Sequence, residues 1–311
     1  MKHNCVSSLY AAITLGSNSF NMLVAKTHAG KPKVVAKYKR KVRLAEGIGA
    51  DGVLCPEVFE RGLDCLQMFS QMLDHEGVSR DNIAVIATAT LRSISNAEAF
   101  CDAALPILGQ PIEIISGLRE AELIYQGMVA TTQGEGRRLV IDIGGASTEF
   151  IIGDGSKVLL KTSLPMGCVT FNDKFFNSFP FQQLDFDAAQ GQVEAALGDY
   201  RKQLTDYGWH GVVGASGTVQ SVVELLNDRG LSATITPQVL GQLREEVLAQ
   251  TDVSMRDIRG LHSERAPTFA AGLAILSALF NLLDIQSLNL SGGALREGVL
   301  HQLAQRVQAA H

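Results

Sequence analysis

Leu139-Val140-Ile141-Asp142-Ile143-Gly144-Gly145-Ala146-Ser147-Thr148-Glu149-Phe150-Ile151-Ile152 reads as two apolar strands folded about a tight turn. The β-branched and aromatic residues on either side of Gly144-Gly145-Ala146-Ser147 suit buried strands. Adjacent glycines open backbone angles that other residues resist and let an anion approach main-chain N–H groups. Asp142 and Glu149 flank that turn with negative charge. Two carboxylates beside a bound phosphate need a cation between them, which points to Mg²⁺. A purely structural hairpin accounts for the two glycines alone. The flanking acids are what favour phosphate chemistry.

The N-terminal stretch from Leu9 to Ala25 has the same grammar: a strand, Gly16-Ser17-Asn18-Ser19, and a second strand. Aligned, Gly16 meets Gly144, Ser19 meets Ser147, Thr14 meets Asp142 and Asn21 meets Glu149. Each copy continues through a second turn into a third strand, Val34 to Tyr38 or Val158 to Thr162, and then into helical sequence. This is a repeat of whole lobes. The expected fold is α/β, with two lobes of strand–strand–strand–helix plan facing each other across a central cleft, where ligands commonly bind. The reading divides the chain at Gln133-Gly134-Glu135-Gly136, giving lobes at 1–130 and 131–311, with the last helix a candidate to pack back on the first.

Helical spacing predicts helices over Pro56 to His75, Asn96 to Leu108, Arg119 to Ala130, Phe186 to Leu204, Pro237 to Gln250, Ala266 to Leu283 and Arg296 to Gln308. Ser116 or Gly117 is placed to cap the third of these, with Glu120 in its first turn. Ile83 to Ala87 and Ile112 to Ile115 read as strands, and Thr88 to Arg92 as a small-residue exit carrying one cation. Two further apolar strands run into glycine turns that open helices, at Gly214-Ala215-Ser216-Gly217 and Gly292-Gly293-Ala294.

The 311 residues are 46% hydrophobic and 19% charged, with a formal charge of −5, which gives no reason to expect nucleic-acid or membrane binding. Five cysteines without a CxxC pair fit reduced thiols in a cytoplasmic protein. Met1 to Ser8 is polar, with no cleavable signal, and the apolar run Phe269 to Leu283 is too short to span a bilayer.

Four glycine turns, two of them related by the repeat, favour a phosphate or nucleotide cleft over coincidence. GxxxxGK[ST], a dinucleotide fingerprint and HExxH are all absent, which removes P-loop, Rossmann and zinc-protease readings. Phosphoryl transfer to water needs countercharge on the equatorial oxygens and a group that positions the water. Glu120, Asp142 and Glu149 are candidates for the metal and the water, and Arg92, Arg43 and Arg265 for countercharge. Position alone also explains Glu120 as an acid favoured at a helix start. The run Lys37 to Arg43, with Lys37, Lys39, Lys41 and Arg43 alternating onto one face, fits either a lysine-protected edge strand or a polyanion track. Cys168 reads as a buried thiol. His28, His210 and His262 lack catalytic partners nearby in sequence.

The two hairpins, together with Ala87 to Arg92, Ile114-Ile115-Ser116-Gly117, Met166-Gly167-Cys168-Val169, Gly214 to Thr218 and Gly292 to Gly298, resemble the exopolyphosphatase/guanosine pentaphosphate phosphatase family, in order along almost the whole chain. Gly144 to Glu149, Leu123 to Gly127 and Cys168-Val169-Thr170 are similar to the guanosine pentaphosphate phosphatase branch. The resemblance implies the actin/Hsp70/sugar-kinase (ribonuclease H-like) fold and Mg²⁺-dependent hydrolysis of a terminal phosphoanhydride: guanosine pentaphosphate to the tetraphosphate alarmone, or terminal phosphate from polyphosphate. By position, Glu120 corresponds to the catalytic carboxylate that orients or deprotonates water, and Asp142 and Glu149 to the Mg²⁺ and water ligands. Gly16, Ser17, Asn18, Ser19, Gly144, Gly145, Ala146, Ser147, Gly214, Ala215, Ser216 and Gly217 correspond to phosphate-binding positions, with Arg92 adding charge.

Three positions depart from that pattern. Thr14 stands where the family usually has Asp, Asn21 where it has His, and Arg119 where it has the first of two acids. A neutral Thr14 predicts weaker Mg²⁺ affinity. Longer family members continue into a helical C-terminal region absent from these residues, which bears on polyphosphate grip and on a homodimer as the assembly. The departures keep two other readings open: a weakly catalytic alarmone-binding regulator, and an ATP-dependent small-molecule kinase on the same fold.

Overall fold

Continuous apolar runs and small-residue turns set the hairpin strands. In the computed structural model, which describes residues 9–309, the first hairpin is β1 (Leu9–Leu15) and β2 (Phe20–His28), followed by β3 (Lys31–Arg40). Next come α1 (Pro56–Glu76), β4 (Ile83–Ala87), α2 (Ala89–Ser93), α3 (Ala97–Leu108), β5 (Ile112–Ile114) and α4 (Gly117–Thr131). The second hairpin is β6 (Arg137–Ile143) and β7 (Thr148–Asp154), followed by β8 (Lys157–Leu164), α5 (Cys168–Phe175), α6 (Gln183–Leu197) and α7 (Tyr200–Tyr207). The rest is β9 (Gly211–Ala215), α8 (Ser216–Asp228), α9 (Pro237–Leu248), α10 (Ala266–Leu282), β10 (Asn289–Leu290) and α11 (Leu295–Ala309). The reading of Met1 to Ser8 falls outside the described residues.

The chain forms two compact units. One takes residues up to Thr131 together with those from Gly293 onward, and the other takes Thr132–Gly292. The boundary at 130/131 therefore holds to within a residue except for the residues from Gly293 onward, and α11 belongs to the first unit, as the expected packing of the last helix back on the first lobe requires. There its Val299, Leu300, Leu303 and Val307 cover Tyr10, Ala12 and Leu23 on one face of the sheet. The opposite face of that sheet buries Ile13, Phe20 and Met22 against Phe69 and Leu73 of α1 and Phe100 of α3. In the second unit Leu139, Ile141, Phe150 and Ile152 pack with the apolar faces of α6, α8, α9 and α10.

The two sheets share one topology. The orders are β3-β2-β1-β4-β5 and β8-β7-β6-β9-β10, antiparallel across the first three strands and parallel thereafter. The registers coincide at a constant offset: Thr14↔Asn21 in one hairpin, Asp142↔Glu149 in the other. The register also shifts at equivalent places, Val24/Ala25 and Ile152/Gly153. Gly16 N–H donates to Ser19 O at 3.1 Å, and Gly144 N–H to Ser147 O at 2.9 Å. The chain has the actin/Hsp70/sugar-kinase-type α/β fold, with a five-stranded mixed sheet in each unit.

Several elements differ from the sequence reading. The helix expected over Phe186 to Leu204 is two, because Gly198 (φ 46) leaves helical angles and its N–H closes α6 on Glu194 O. The exit Thr88 to Arg92 is instead a one-turn helix, α2. β3 ends at Arg40, so Lys41 and Arg43 leave the strand and do not continue the expected alternation; Arg43 sits at φ 55. Lys31, Lys33, Lys37 and Lys39 are exposed along β3, an edge strand of its sheet, as lysine-protected edges are built. Cys55, Cys65, Cys101 and Cys168 form no disulfide.

Candidate active site

In the first unit, the C-terminal ends of the parallel strands β1, β4 and β5 carry the candidate groups. The β1–β2 turn spends its carbonyls on neighbouring loops: Ser17 O accepts from Ala45 N–H and Asn18 O from Arg43 N–H. Thr88 N–H donates to Leu15 O, which sets the start of α2 beside that turn. The Ser116 hydroxyl accepts from Arg119 N–H at 3.2 Å and so caps α4. That start places Glu120 in the first turn, where the helix dipole favours an acid. Glu120 is buried, and its carboxylate stands 3.7 Å from Arg92. Arg92 is itself anchored, donating to Ile115 O at 2.6 Å, one residue before the cap. The structure thus brings Glu120 and Arg92 together as a fixed acid–guanidinium pair. Arg119 does not reproduce the acid it replaces. It pairs with Glu122 at 3.0 Å and donates to Gln302 of α11 at 2.7 Å, tying two helices together.

The second unit gathers its groups in the same way. Asp142 and Glu149 face each other across the β6–β7 ladder, both buried. Ser163, opposite Glu149 on β8, donates to its Oε1 at 2.6 Å. The turn's oxygens are taken by the start of α5: Gly144 O accepts from Cys168 N–H, and Gly145 O from Val169 and Thr170 N–H. Among the described residues no backbone acceptor takes the N–H groups of Gly145, Ala146 or Ser147. The approach of α5 is close enough that a Cβ on Gly167 falls 2.3 Å from Gly145 C and 2.4 Å from Ala146 N. The turn is therefore braced from behind, and none of the bracing bonds uses the amides of Gly145, Ala146 or Ser147.

The last predicted turn divides by role. Gly214 and Ala215 belong to strand β9, and a Cβ on Gly214 meets Leu288 and Val219 side chains at 2.6 and 2.7 Å. Gly214 is a packing glycine, not part of an open turn. Ser216 opens α8 at φ 75, rare for a residue with a side chain, and its hydroxyl donates to Ile143 O at 2.5 Å. That bond pins the helix start to the end of β6. Arg265, named for countercharge, lies against Gly217, where a built Cβ would fall 2.6 Å from its Nη1. Arg43 reaches only the exposed Glu46 at 3.7 Å.

Asp142 and Glu149 are hard oxygen donors on adjacent strands, and Mg²⁺ is commonly held by one or two carboxylates plus water and substrate phosphate. The donor set fits that ion. A cage made wholly of side chains does not form, since no group of three or more His, Cys, Asp or Glu is gathered among the described residues. Sequence reasoning missed Ser163 and the bracing of the turn by α5. Counting the β7–β8 register would have found Ser163. Nothing in the sequence pattern reveals the Gly167 contact.

The Ppx/GppA phosphatase family pattern matches residues 23–307. A guanosine-5'-triphosphate,3'-diphosphate pyrophosphatase from Vibrio parahaemolyticus is 45% identical over 302 residues, covering 97% of this chain and 60% of its own length. One from Aliivibrio fischeri is 45% identical over 308 residues, covering 99% of this chain and 62% of its own. The chain thus spans about three fifths of the curated relatives it matches. Among solved structures, an exopolyphosphatase from Cytophaga hutchinsonii has a TM-score of 0.87 at 24% identity, with 96% of this chain and 98% of that one covered. The Aquifex aeolicus Ppx/GppA family member has a TM-score of 0.79 at 23% identity, covering 98% and 99%.

Proposed function

Because this chain belongs to the Ppx/GppA phosphatase family, we propose that it hydrolyses phosphoanhydrides, removing the terminal 5′ phosphate of guanosine pentaphosphate to leave the tetraphosphate alarmone of the stringent response. Terminal phosphate release from inorganic polyphosphate is the second activity of the same residues. The observation that supports this best is the buried Asp142–Glu149 pair across a braced turn in which, among the described residues, the N–H groups of Gly145, Ala146 and Ser147 meet no backbone acceptor. The names of the relatives that are 45% identical agree with it.

In this reading the amides of Gly145, Ala146 and Ser147 take phosphate oxygens, as the Ser17-Asn18-Ser19 turn does in the first unit. Asp142 and Glu149 hold Mg²⁺, with the Ser163 hydroxyl fixing the orientation of the Glu149 carboxylate. Bound Mg²⁺ supplies charge neutralisation and alignment of phosphate oxygens. Glu120 accepts a hydrogen bond from the attacking water and takes its proton as the water's oxygen bonds to the terminal phosphorus. The bond from that phosphorus to the bridging oxygen breaks, the bridging oxygen leaves with the shortened product, and orthophosphate is released. Arg92, held by Ile115 O, keeps that carboxylate in place. We assign the reaction to the cytoplasm; no helix among the described residues is long and apolar enough to cross a membrane.

Phosphate release from guanosine pentaphosphate, polyphosphate and ATP, measured side by side with Mg²⁺ and with EDTA, tests the proposal. The pentaphosphate is expected to be the best substrate, EDTA to stop release, and Glu120→Gln to lower kcat by about 10²–10⁴-fold. An undiminished rate for Glu120→Gln removes the role given to that carboxylate. Release from ATP that requires an acceptor makes the chain a kinase, and nucleotide binding without release makes it a regulator.

A further inference from the structure

Arg119 stands one position before Glu120, in the first turn of α4. A cation there opposes the helix macrodipole, so the helix itself gives no reason for it. Its guanidinium instead engages two partners. Nη1 donates to Glu122 Oε2 at 3.0 Å, and Nη2 to Gln302 Oε1 on α11 at 2.7 Å. Gln302 passes the contact on, donating from Nε2 to Gln126 Oε1 at 2.8 Å. Arg119, Glu122 and Gln126 recur at i, i+3 and i+7, so they share one side of α4. The single amide of Gln302 thus grips that side at two points about 10 Å apart along the axis. All four side chains are half-buried, which strengthens these bonds over those of a solvated pair.

The two helices also touch backbone to backbone, where a Cβ built on Gly298 would fall 1.9 Å from Leu123 O. That contact sets their separation. It does not set the rotation of α4 about its axis or its slide along α11, which takes directional bonds. Ser116 holds the first turn from the strand side: its hydroxyl accepts from Arg119 N–H, and its carbonyl accepts from Glu120 N–H at 2.9 Å. Glu120 lies about 100° round the helix from Arg119. Where its buried carboxylate stands follows from how that turn is set.

We propose that Arg119 is a positioning residue for the hydrolytic step. By joining Glu122 to Gln302 it fixes the rotation and slide of the first turn of α4, and so the place of the Glu120 carboxylate at the attacking water. The step it serves rests on the proposed hydrolase reading; the clamp itself does not. The acid usual at this position in the family would repel Glu122 instead of joining it.

Two measurements on the 311-residue chain test this. The first is amide hydrogen exchange over residues 117–122. In Arg119→Met, which keeps the apolar stem, exchange there is expected to quicken about tenfold, as for one charge-assisted hydrogen bond lost. The second is hydrolysis of guanosine pentaphosphate with Mg²⁺, where kcat is expected to fall about tenfold with KM unchanged. Gln302→Leu is expected to give the same split, and the double variant to lose no more than the worse single. Arg119→Glu is expected to fall at least as far. Arg306→Gln cuts a different tie of α11, the bond to Ile83 O at 3.2 Å, and is expected to lower Tm while leaving kcat unchanged. Circular dichroism confirms that each variant folds. Unchanged exchange or kcat in Arg119→Met, additive losses in the double variant, a wild-type kcat in Arg119→Glu, or an equal loss of kcat in Arg306→Gln overturns the proposal and leaves the hydrolase reading standing. A wild-type chain that releases no phosphate sinks the hydrolase reading and this role together.

Discussion

Gly298→Ala is expected to destabilise the first unit, although alanine is the better helix former. Gly298 lies inside α11, and a Cβ built there falls 1.9 Å from the carbonyl oxygen of Leu123 in α4. An ordinary carbon–oxygen contact is about 3.4 Å, so the helices must part locally by about 1.5 Å. The obstructing atom is backbone, which cannot rotate aside as a side chain does. Gly127 on α4 makes the reciprocal contact, with its Cβ 1.9 Å from Ala294 O. Overpacking of this kind costs about 3 kcal/mol, at the upper end of its usual range. Helix propensity returns about 1 kcal/mol, leaving a net loss of about 2 kcal/mol.

Gly191→Ala is the control. Gly191 sits inside α6, is exposed, and has nothing within 4 Å of a built Cβ. The same chemical change there should stabilise by about 0.5–1 kcal/mol. Differential scanning calorimetry at matched protein concentration reads both. At about 2 °C per kcal/mol for a chain of this size, the apparent Tm falls by about 4 °C for Gly298→Ala and rises by about 1–2 °C for Gly191→Ala. Gly127→Ala combined with Gly298→Ala should cost less than the two singles together, because the first substitution already opens the shared gap. A Gly298→Ala melt at or above wild type refutes the close α4–α11 approach. The consequence reaches the candidate site, since α4 carries Glu120.

Gly167→Ala forces the braced turn forward, because its Cβ meets only backbone of Gly145 and Ala146. KM for the phosphorylated substrate should rise about tenfold with circular dichroism unchanged, and an unchanged KM excludes the bracing role. Ser163→Ala removes the bond that orients Glu149 and should lower Mg²⁺ affinity about 10-fold; calorimetry showing full affinity dismisses it. Burial pushes the Cys65 thiol up to about 12, against a lowering influence from Arg40, and burial also raises Cys101. At pH 8 both therefore stay protonated, so iodoacetamide followed by peptide mass spectrometry should find Cys65 unlabelled while the partly exposed Cys55 reacts. Equal labelling contradicts that burial.

The hairpins were legible because strand pairing leaves a short, strict signature: short apolar runs, a small turn, and the same spacing twice. The repeat alignment Thr14/Asp142 and Asn21/Glu149 is the register that the hydrogen bonds adopt. Hydrophobic period is a weaker instrument where a break preserves phase. Val193, Leu197 and Leu204 stay on one helical face across Gly198, so the pattern runs through the break that the backbone makes there. α5 is too short for periodicity to register. The return of α11 to the first unit follows the expected packing of the last helix back on the first lobe, and the buried Val299, Leu300, Leu303 and Val307 bear it out.

Glycine is ambiguous in sequence for a related reason. Gly144, Gly167 and Gly214 each follow apolar residues and look alike in one dimension. What separates them is the atom that a side chain would strike. At Gly167 it is the backbone of the β6–β7 turn, and at Gly214 it is the side chains of Leu288 and Val219. The first braces a turn from outside the motif; the second serves core packing from inside it. The repeat separates scaffold from chemistry in the same way. Turn bonds and bulge positions are kept between the hairpins because backbone geometry demands them. The row Thr14, Asn21 and Lys39 across β1, β2 and β3 carries no such demand, so its charge could depart from that of Asp142, Glu149 and Ser163 without disturbing the fold.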